Sequence, residues 1–300
     1  MQMNFIEALS HYGINFDMET FPLGYMNETG QHTTLEGVHG MRRKDTLEPL
    51  QGVSVGARYN VIQTSSYADI GDRIVGQSGA EFIKGGVLKD GRVAYLQAKF
   101  PDSIRVKGDN TSIDKYLTFV NSYDGSSPFY ILPTMLRLIC TNQFAALSRD
   151  ARANGMKISH TSRADERIQQ ADQALLEVME AYRTVEIKVN QLAVTPFGDK
   201  QIDLAARRLF KVDDDLPEED IHSRTLTNIN KVKELALYGN GQDSVRGTGY
   251  AFYQGAVEYA DWERSLRQTT DRFESSLIGS GALLKDRAMR VVEQVIAQAA

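Results

Sequence analysis

The chain has 300 residues, of which 42% are hydrophobic and 24% are charged, as in an ordinary soluble globular protein. Its net charge is −5, and its single cysteine, Cys140, excludes an internal disulfide framework and a cysteine-rich zinc site. No apolar run approaches the roughly 20 residues that a membrane helix needs, and the first residues show no signal-peptide pattern. We therefore expect a cytoplasmic protein without a membrane partner.

Charge is spread unevenly along the chain. Residues 41–163 contain 17 Lys+Arg and 11 Asp+Glu, whereas the remainder contains 17 and 28. A basic middle beside an acidic remainder is typical of an anion-binding core joined to a different module, but ordinary fluctuation in composition produces the same imbalance. The sequence alone leaves both interpretations open.

The N-terminal region predicts a short helix and then a Gly- and Thr-rich arm, within residues 1–40. Residues 58–63 have strand character. The hydroxyls of residues 64–66 can cap a following helix, which would end near Gly79.

A β-hairpin is the clearest local signal. Asp90-Gly91 stands between two strand-like segments, 80–88 and 92–100, and supplies the positive φ that a tight turn needs. Residues 116–121 and 129–139 predict two further strands. The second contains a proline at position 133, which favours a sheet edge or a bulge because proline has no N–H to donate.

The rest of the chain predicts helices. Thr141-Asn142 can cap a helix over 143–153, and a long amphipathic helix opened by Ser162 carries apolar residues from Ile168 to Val185 at three- and four-residue spacing. Further helices are predicted at about 200–211, 223–238, 248–268 and 284–298, with the acidic run 213–220 as an exposed linker.

Because strands cluster first and helices later, the pattern indicates an α+β fold. We expect a helix, a β-hairpin and an antiparallel sheet with a long helix, followed by a helical C-terminal region. The predicted divisions are an N-terminal arm (1–40), a basic α+β core (41–195) and an acidic helical region (196–300).

Established catalytic motifs are absent from the sequence. It contains no phosphate-binding glycine loop, no His-Glu-x-x-His and no Gly-x-Ser-x-Gly, and its five histidines give no metal-ligand spacing. One weak pattern, Asp90, Gln97 and Lys99, is similar to the arrangement in metal-dependent nucleases, which hold Mg²⁺ with carboxylates and place a lysine near the attacked phosphate. Only this alternative implies a cofactor.

Basic and aromatic residues are interleaved in the middle of the chain, a combination that binds single strands by phosphate neutralisation and base stacking. His160 is also consistent with a hydrogen-bonded histidine at a strand end. Arg137 is also consistent with an internal ion pair, and most of the rings are consistent with the core. The predicted nucleic-acid-binding residues are Arg42, Arg43, Lys44, Arg58, Lys99, Arg105, Lys107, Arg137, Asn142 and His160.

Several motifs in order resemble the phage/plasmid-like protein family, a domain of unknown function (number 932). The resemblance covers about residues 39–295 and implies a phage, prophage or plasmid origin without implying an established activity. Its motifs are the Tyr116–Ser122 strand with Asp124-Gly-Ser-Ser, the Pro133–Asn142 segment, Ser159-His-Thr-Ser, Gly247-Thr-Gly-Tyr, Ala256-Val-Glu-Tyr-Ala and Gly279-Ser-Gly-Ala with Lys285.

The order of elements is also similar to phage single-strand annealing proteins of the Red-beta, RecT and Rad type, an analogy of fold alone. Our leading hypothesis is therefore a non-catalytic, homo-oligomeric protein that binds and anneals single-stranded DNA and that a phage or host replication or recombination protein can join. The alternatives are a metal-dependent nuclease or other DNA-processing enzyme, and a phage factor that binds a host protein through its acidic helical part.

Overall fold

The computed structural model describes residues 3–137, 142–145, 156–164, 166, 172–267, 272–277 and 279–299. It contains helices and antiparallel sheets, so the predicted α+β class is confirmed. Two compact units divide the chain. The first comprises Met1–Pro101, Leu117–Leu132 and Asn154–Val178, and the second comprises Asp102–Tyr116, Pro133–Ala153 and Met179–Ala300. The predicted three-part division stays a prediction, because compactness alone does not define functional modules.

The first unit begins with helix α1, Phe5–His11. Asn4 and Glu7 form a capping box, in which each side chain accepts a hydrogen bond of 2.9 Å from the other's backbone N–H. Phe5 is fully buried, and its ring packs edge-on against the rings of Tyr67, Phe82 and Phe119 at centroid distances of 5.2–5.4 Å. This aromatic cluster is the centre of the first unit's core.

The predicted arm is largely a β-ribbon. Strands β1 (Met18–Met26) and β2 (His32–Arg43) pair antiparallel, and the short strand β3 (Val55–Gly56) joins β2. The predicted strand over 58–63 is wrong. This segment is irregular, and its backbone forms hydrogen bonds with groups that do not belong to a neighbouring β-strand. The Asn60 N–H donates to the His160 carbonyl, and Asn121 Nδ2 donates to the Ile62 carbonyl at 2.7 Å.

Helix α2 (Ala68–Ser78) confirms the predicted helix and its end, because Gly79 has a left-handed φ of 68° that glycine adopts without strain. The predicted capping residues instead form a 3₁₀ turn, Thr64–Tyr67. The buried Thr64 hydroxyl donates to the Ile14 carbonyl at 3.2 Å rather than accepting from the first turn of α2.

The predicted hairpin is confirmed as β4 (Glu81–Leu88) and β5 (Val93–Arg105), with Leu88 opposite Val93. Lys89, Asp90 and Gly91 all have positive φ, so the turn uses the conformation that Asp-Gly predicts.

Strands β6 (Ser112–Ser122) and β7 (Phe129–Arg137) confirm the third and fourth predicted strands. The order in this sheet is β4-β5-β6-β7-β8, where β8 is Asn142–Ala145, and β9 (Met156–Ile158) also pairs with β7. Strand β7 therefore lies inside the sheet, yet its pairings with β9 and β8 are those of 129–131 and 134–137. Pro133 lies in the gap between these two pairings, where a missing N–H disrupts neither.

The predicted helix over 143–153 is wrong at its start. Residues Asn142–Ala145 form strand β8, because the backbone of 134–137 offers them a ladder that a local capping signal cannot reveal. The other residues of that predicted helix lie outside the described part of the chain.

The remaining elements are helical, as predicted. The acidic run 213–220 lies between the helices Asp199–Leu209 and Ser223–Tyr238. The predicted start of the long helix, from Ser162, lies mostly outside the described residues. The helix Arg272–Leu277 and the π-helical turn Tyr259–Glu263 were not predicted. No described helix is long and apolar enough to cross a membrane. The elements are α3 (Asp172–Val194), α4 (Asp199–Leu209), a 3₁₀ turn (Glu218–Asp220), α5 (Ser223–Tyr238), α6 (Gly249–Glu258), the π turn (Tyr259–Glu263), α7 (Arg272–Leu277) and α8 (Ser280–Ala299).

Two of the motifs that carry the family resemblance build the helical core of the second unit. Thr248 caps α6 by accepting from the Ala251 N–H at 3.2 Å. A Cβ on Gly255 would lie 2.5 Å from the backbone nitrogen of Ala236, so α6 crosses α5 at a distance that only glycine permits. In the other motif, buried Lys285 donates to Asp261 Oδ1 at 2.8 Å.

Candidate nucleic-acid interface

The cationic cluster Arg42, Arg43 and Lys44 lies at the end of β2, in the first unit. Each of its side chains has a carboxylate partner within the same unit, so much of the positive charge is compensated locally. The Arg43 guanidinium also stacks over the Phe16 ring at 4.4 Å. The N···O distances are 2.7 Å for Arg42–Glu19, 2.5 Å for Arg43–Asp45 and 3.5 Å for Lys44–Asp17.

Arg58 and Lys99 occupy different environments in the first unit. Arg58 is exposed in the turn after β3, and it forms no ion pair with a carboxylate of the described residues. Lys99 is half-buried on β5, directly opposite Glu81 of β4. Arg58 is therefore the more available of the two for a phosphate.

Arg105 and Lys107 belong to the second unit and lie at the end of β5 with exposed side chains. Asn190 of α3 fixes the backbone between them. Its Oδ1 accepts from the Lys107 N–H at 2.8 Å, and its Nδ2 donates to the Arg105 carbonyl at 3.3 Å. The backbone that carries these two exposed side chains is thus anchored to α3.

Arg137 and Asn142 are brought together by the fold. They are directly opposite partners in the β7–β8 ladder, although four residues separate them along the chain. The side chains of both residues lie outside the part of the structure that is described.

His160 forms a reciprocal clamp with Asn60 in the first unit. The Asn60 N–H donates to the His160 carbonyl at 3.2 Å, His160 Nδ1 lies 3.2 Å from the Asn60 carbonyl, and Asn60 Nδ2 donates to the Thr161 carbonyl at 3.3 Å. A carbonyl can only accept, so Nδ1 carries the proton and Nε2 is left as an acceptor. Nε2 is buried and has no hydrogen-bond partner among the described residues.

Burial lowers the pKa of His160 to about 4, against the smaller opposing effects of the Asn60 carbonyl and the nearby Asp124 carboxylate. The ring is therefore neutral at neutral pH, and it stacks on Tyr59 with centroids 4.8 Å apart and planes 14° from parallel. The Tyr59 hydroxyl donates to the Ser122 carbonyl at 2.9 Å. His160 is therefore a hydrogen-bonded histidine, as the alternative interpretation of the sequence proposed. Any role of this ring in binding would rest on stacking and not on charge.

The Asp124-Gly-Ser-Ser loop is a turn closed by its own carboxylate. Asp124 Oδ1 accepts from the Ser122 hydroxyl at 2.6 Å and from the Ser126 N–H at 2.9 Å. Burial raises the pKa of Asp124, but the hydrogen bonds from Ser122 and Ser126 outweigh it, and the net shift is downward. The carboxylate thus stays ionised to support the turn.

Most of the rings expected to stack on bases lie in the core, as the alternative interpretation predicts. A buried ring cannot receive a base without opening the fold. Tyr59 and Tyr130 are half-buried, whereas the buried rings are Tyr67, Tyr95, Phe100, Tyr116, Phe119 and Tyr123.

The structure does not assemble the alternative nuclease site. Asp90 lies in the hairpin turn, while Gln97 lies four residues beyond the start of β5, which is about 13 Å at the rise of an extended strand. Gln97 is also buried and donates to the Thr118 hydroxyl at 2.9 Å. In the described part of the chain, no group of three or more His, Cys, Asp or Glu could hold a metal ion.

Sequence reasoning missed two cations beside the clamp. Lys157 and Arg163 are exposed, and neither forms an ion pair with a carboxylate of the described residues. Each lies three positions from His160, so a search for basic residues around that strand end would have found them. Together with Arg58, which directly precedes Tyr59, they are near neighbours along the chain of the Tyr59–His160 ring pair. We call the surface formed by these five residues the His160 surface.

Comparison with known proteins places the chain in a family. No curated protein and no solved structure matches it. The family model described as "Domain of unknown function (DUF932)" matches residues 53–277. This range includes all five residues of the His160 surface and most of the C-terminal helices. Because this match covers well over half of the chain, the protein belongs to the DUF932 family.

Proposed function

We propose that the protein is a phage- or plasmid-encoded, homo-oligomeric protein that binds single-stranded DNA and anneals complementary strands. The observation that carries this proposal is the His160 surface. Three exposed cations without carboxylate partners among the described residues lie within three positions, along the chain, of a half-buried pair of stacked rings.

The chain itself limits how far the cations are from the rings. Arg58 directly precedes Tyr59, and Lys157 and Arg163 are each within about 10 Å of His160 along an extended backbone. A strand that lies across this surface can place its phosphates on the cations while a base stacks on the exposed part of a ring. Contacts of this kind leave base edges free, which annealing requires.

The geometry predicts a modest salt dependence. Three phosphate contacts on a single strand give a log–log slope of affinity against salt of about −2, at about −0.7 for each contact. Neutral His160 adds no charge to this sum at neutral pH. Further contacts from Arg105 and Lys107 would make the slope steeper.

Assembly into a homo-oligomer finds support in the β1–β2 ribbon. Its outer half exposes large apolar side chains, Tyr25, Met26 and Leu35, at 54%, 63% and 43% of their surface. A ribbon that exposes apolar groups is a common site for pairing with a second copy. Light scattering coupled to size exclusion measures the oligomer directly.

The test compares two triple variants that remove the same charge. The first is Arg58→Gln, Lys157→Gln and Arg163→Gln, and the second is Arg42→Gln, Arg43→Gln and Lys44→Gln, whose side chains are ion-paired. Fluorescence anisotropy with labelled single-stranded and double-stranded oligonucleotides is measured at several salt concentrations. We expect the first variant to flatten the slope by about 2, and the second to change it much less.

A second assay addresses annealing. The rate at which two complementary labelled strands pair is measured by energy transfer, with and without the protein, in EDTA and in Mg²⁺. Acceleration in EDTA that the first triple variant abolishes supports the proposal. No binding at low salt, or equal losses in both triple variants, contradicts it, and Mg²⁺-dependent cleavage would indicate the DNA-processing alternative.

A further inference from the structure

A pocket in the second unit is lined by arginines and contains no carboxylate among its described lining residues. Its volume is about 460 Å³, within the range of about 300–1,000 Å³ that is usual for small-molecule sites. Arg224 of α5, Arg264 directly after the π turn and Arg287 of α8 supply its charge. Three like charges around one cavity repel each other, and an anion would relieve that repulsion.

The hydrogen bonds of these arginines leave donors unused. Arg264 Nη2 donates to the Ser280 hydroxyl at 2.9 Å, but its Nη1 is buried and has no partner among the described residues. Arg287 Nη1 donates to the Leu209 carbonyl at 3.1 Å, which fixes the guanidinium against the end of α4. A buried donor without a partner on a cation is unfavourable in the free protein, which favours the binding of an anion by Arg264.

Two helix N-termini add to the positive potential. Arg224 lies in the first turn of α5, and Ser280 is the first residue of α8, while neither first turn contains an acidic residue. A helix N-terminus carries roughly half a positive charge, so acidic residues normally stabilise it and a cation such as Arg224 destabilises it. This placement is unfavourable for the free protein and favourable for a protein with a bound anion.

One wall of the pocket is aromatic. The rings of Phe210 and Tyr259 pack edge to face with centroids 5.6 Å apart, beside Leu283 and Leu284 of α8. Burial raises the pKa of Tyr259, and the nearby guanidinium groups of Arg264 and Arg224 oppose it, as expected if all three groups share the pocket. The π turn places Tyr259 and Arg264 at its two ends, and such turns recur at functional sites.

A second groove, of about 1120 Å³, also includes Arg287 but has a different character. Three consecutive aspartates, at positions 213–215, line it, and Asp214 already pairs with Arg208 at 2.5 Å. These three carboxylates therefore compensate most of the charge of its four cations, Arg208, Lys211, Arg287 and Arg290. The smaller pocket has cations and no carboxylate among its described lining residues, so it is the better candidate for binding an anion.

We propose that this pocket binds the phosphate monoester of a nucleotide, with the phosphate between Arg224, Arg264 and Arg287 and the base against the Phe210–Tyr259 wall. The nucleotide is either free or the 5′-phosphorylated end of a strand, since both present the same chemistry. The site lies within the second unit and uses no residue of the His160 surface.

The experiment uses the full-length protein and isothermal titration calorimetry with AMP, adenosine, inorganic phosphate, and oligonucleotides with and without a 5′-phosphate. Arg224→Gln is the main variant because this side chain is exposed, and Arg183→Gln is the matched control on an exposed face of α3. We expect AMP to bind and adenosine to bind at least tenfold more weakly. We also expect Arg224→Gln to weaken AMP about tenfold and Arg183→Gln to leave it unchanged.

Equal binding of adenosine and AMP, equal losses in both variants, or no binding of any phosphate compound would overturn the proposal. If AMP binds and the 5′-phosphate of an oligonucleotide adds no affinity, the ligand is a free nucleotide. If the 5′-phosphate adds affinity that Arg224→Gln removes, the ligand is a strand end. The triple variant of the His160 surface retains AMP binding in either case, so this proposal and the proposed function fail separately.

Discussion

Acidification is expected to destabilise the protein through His160. The folded state holds the pKa of this ring at about 4 because burial disfavours the imidazolium, whereas an unfolded histidine has a pKa of about 6.5. Between these values the unfolded chain binds more protons than the folded one. The free energy of unfolding therefore falls as pH decreases through this window, and the contribution of His160 is constant above it.

The difference between the two pKa values corresponds to about 3 kcal/mol when the pH has fallen below 4. Urea unfolding of the wild type and of His160→Gln, each measured between pH 4 and pH 7, isolates this contribution as the difference between the two curves. The exposed His32 supplies the control variant His32→Gln. Parallel curves for the wild type and His160→Gln, or an NMR titration of the His160 ring with a midpoint near 6.5, would refute the buried clamp.

Two further predictions concern the helical unit, and urea unfolding checks both. Lys285→Met removes the buried cation that donates to the Asp261 carboxylate and should lower the free energy of unfolding by about 3–5 kcal/mol, whereas adding Asp261→Asn should recover part of the loss. A larger loss in the double variant would contradict this account. Gly255→Ala should lower the free energy of unfolding by at least about 1–3 kcal/mol, because its Cβ would meet the backbone of Ala236. The control Gly76→Ala, at an exposed position of α2, should be neutral or stabilising. Equal effects of the two alanines would contradict the close crossing.

Local signals predicted the elements whose causes are local. The Asp90-Gly91 turn needs positive φ at adjacent residues, and both chain positions supply it. Helix α5 has the predicted bounds, 223–238, because its apolar periodicity is continuous and a turn ends it. Pro133 predicted an edge position or a bulge, but β7 lies inside the sheet and Pro133 falls between its pairings with β9 and β8.

Long-range pairing accounts for the errors. Asn142–Ala145 joins β7 as a strand because backbone groups from elsewhere in the chain are available, and no pattern within 141–153 reveals them. Residues 58–63 have strand character, yet the His160 carbonyl and the Asn121 side chain bind the Asn60 N–H and the Ile62 carbonyl instead of a neighbouring strand. Similarly, the carboxylates that pair with the Arg42–Lys44 cluster come partly from β1 and the segment before it, which the cluster's own sequence does not show.

The arginine pocket illustrates which functional signals a single sequence retains. Its three cations come from α5, the end of the π turn and α8, so no motif of fixed spacing unites Arg224, Arg264 and Arg287. What the sequence does retain is an anomaly at two helix starts, since both α5 and α8 begin with serine and lack an acidic residue in the first turn, and α5 places an arginine there instead. A helix N-terminus without an acidic residue in its first turn is less stable unless another anion binds there. Such starts are therefore a physical criterion for anion sites, and titration of AMP against Arg224→Gln tests that criterion in this chain.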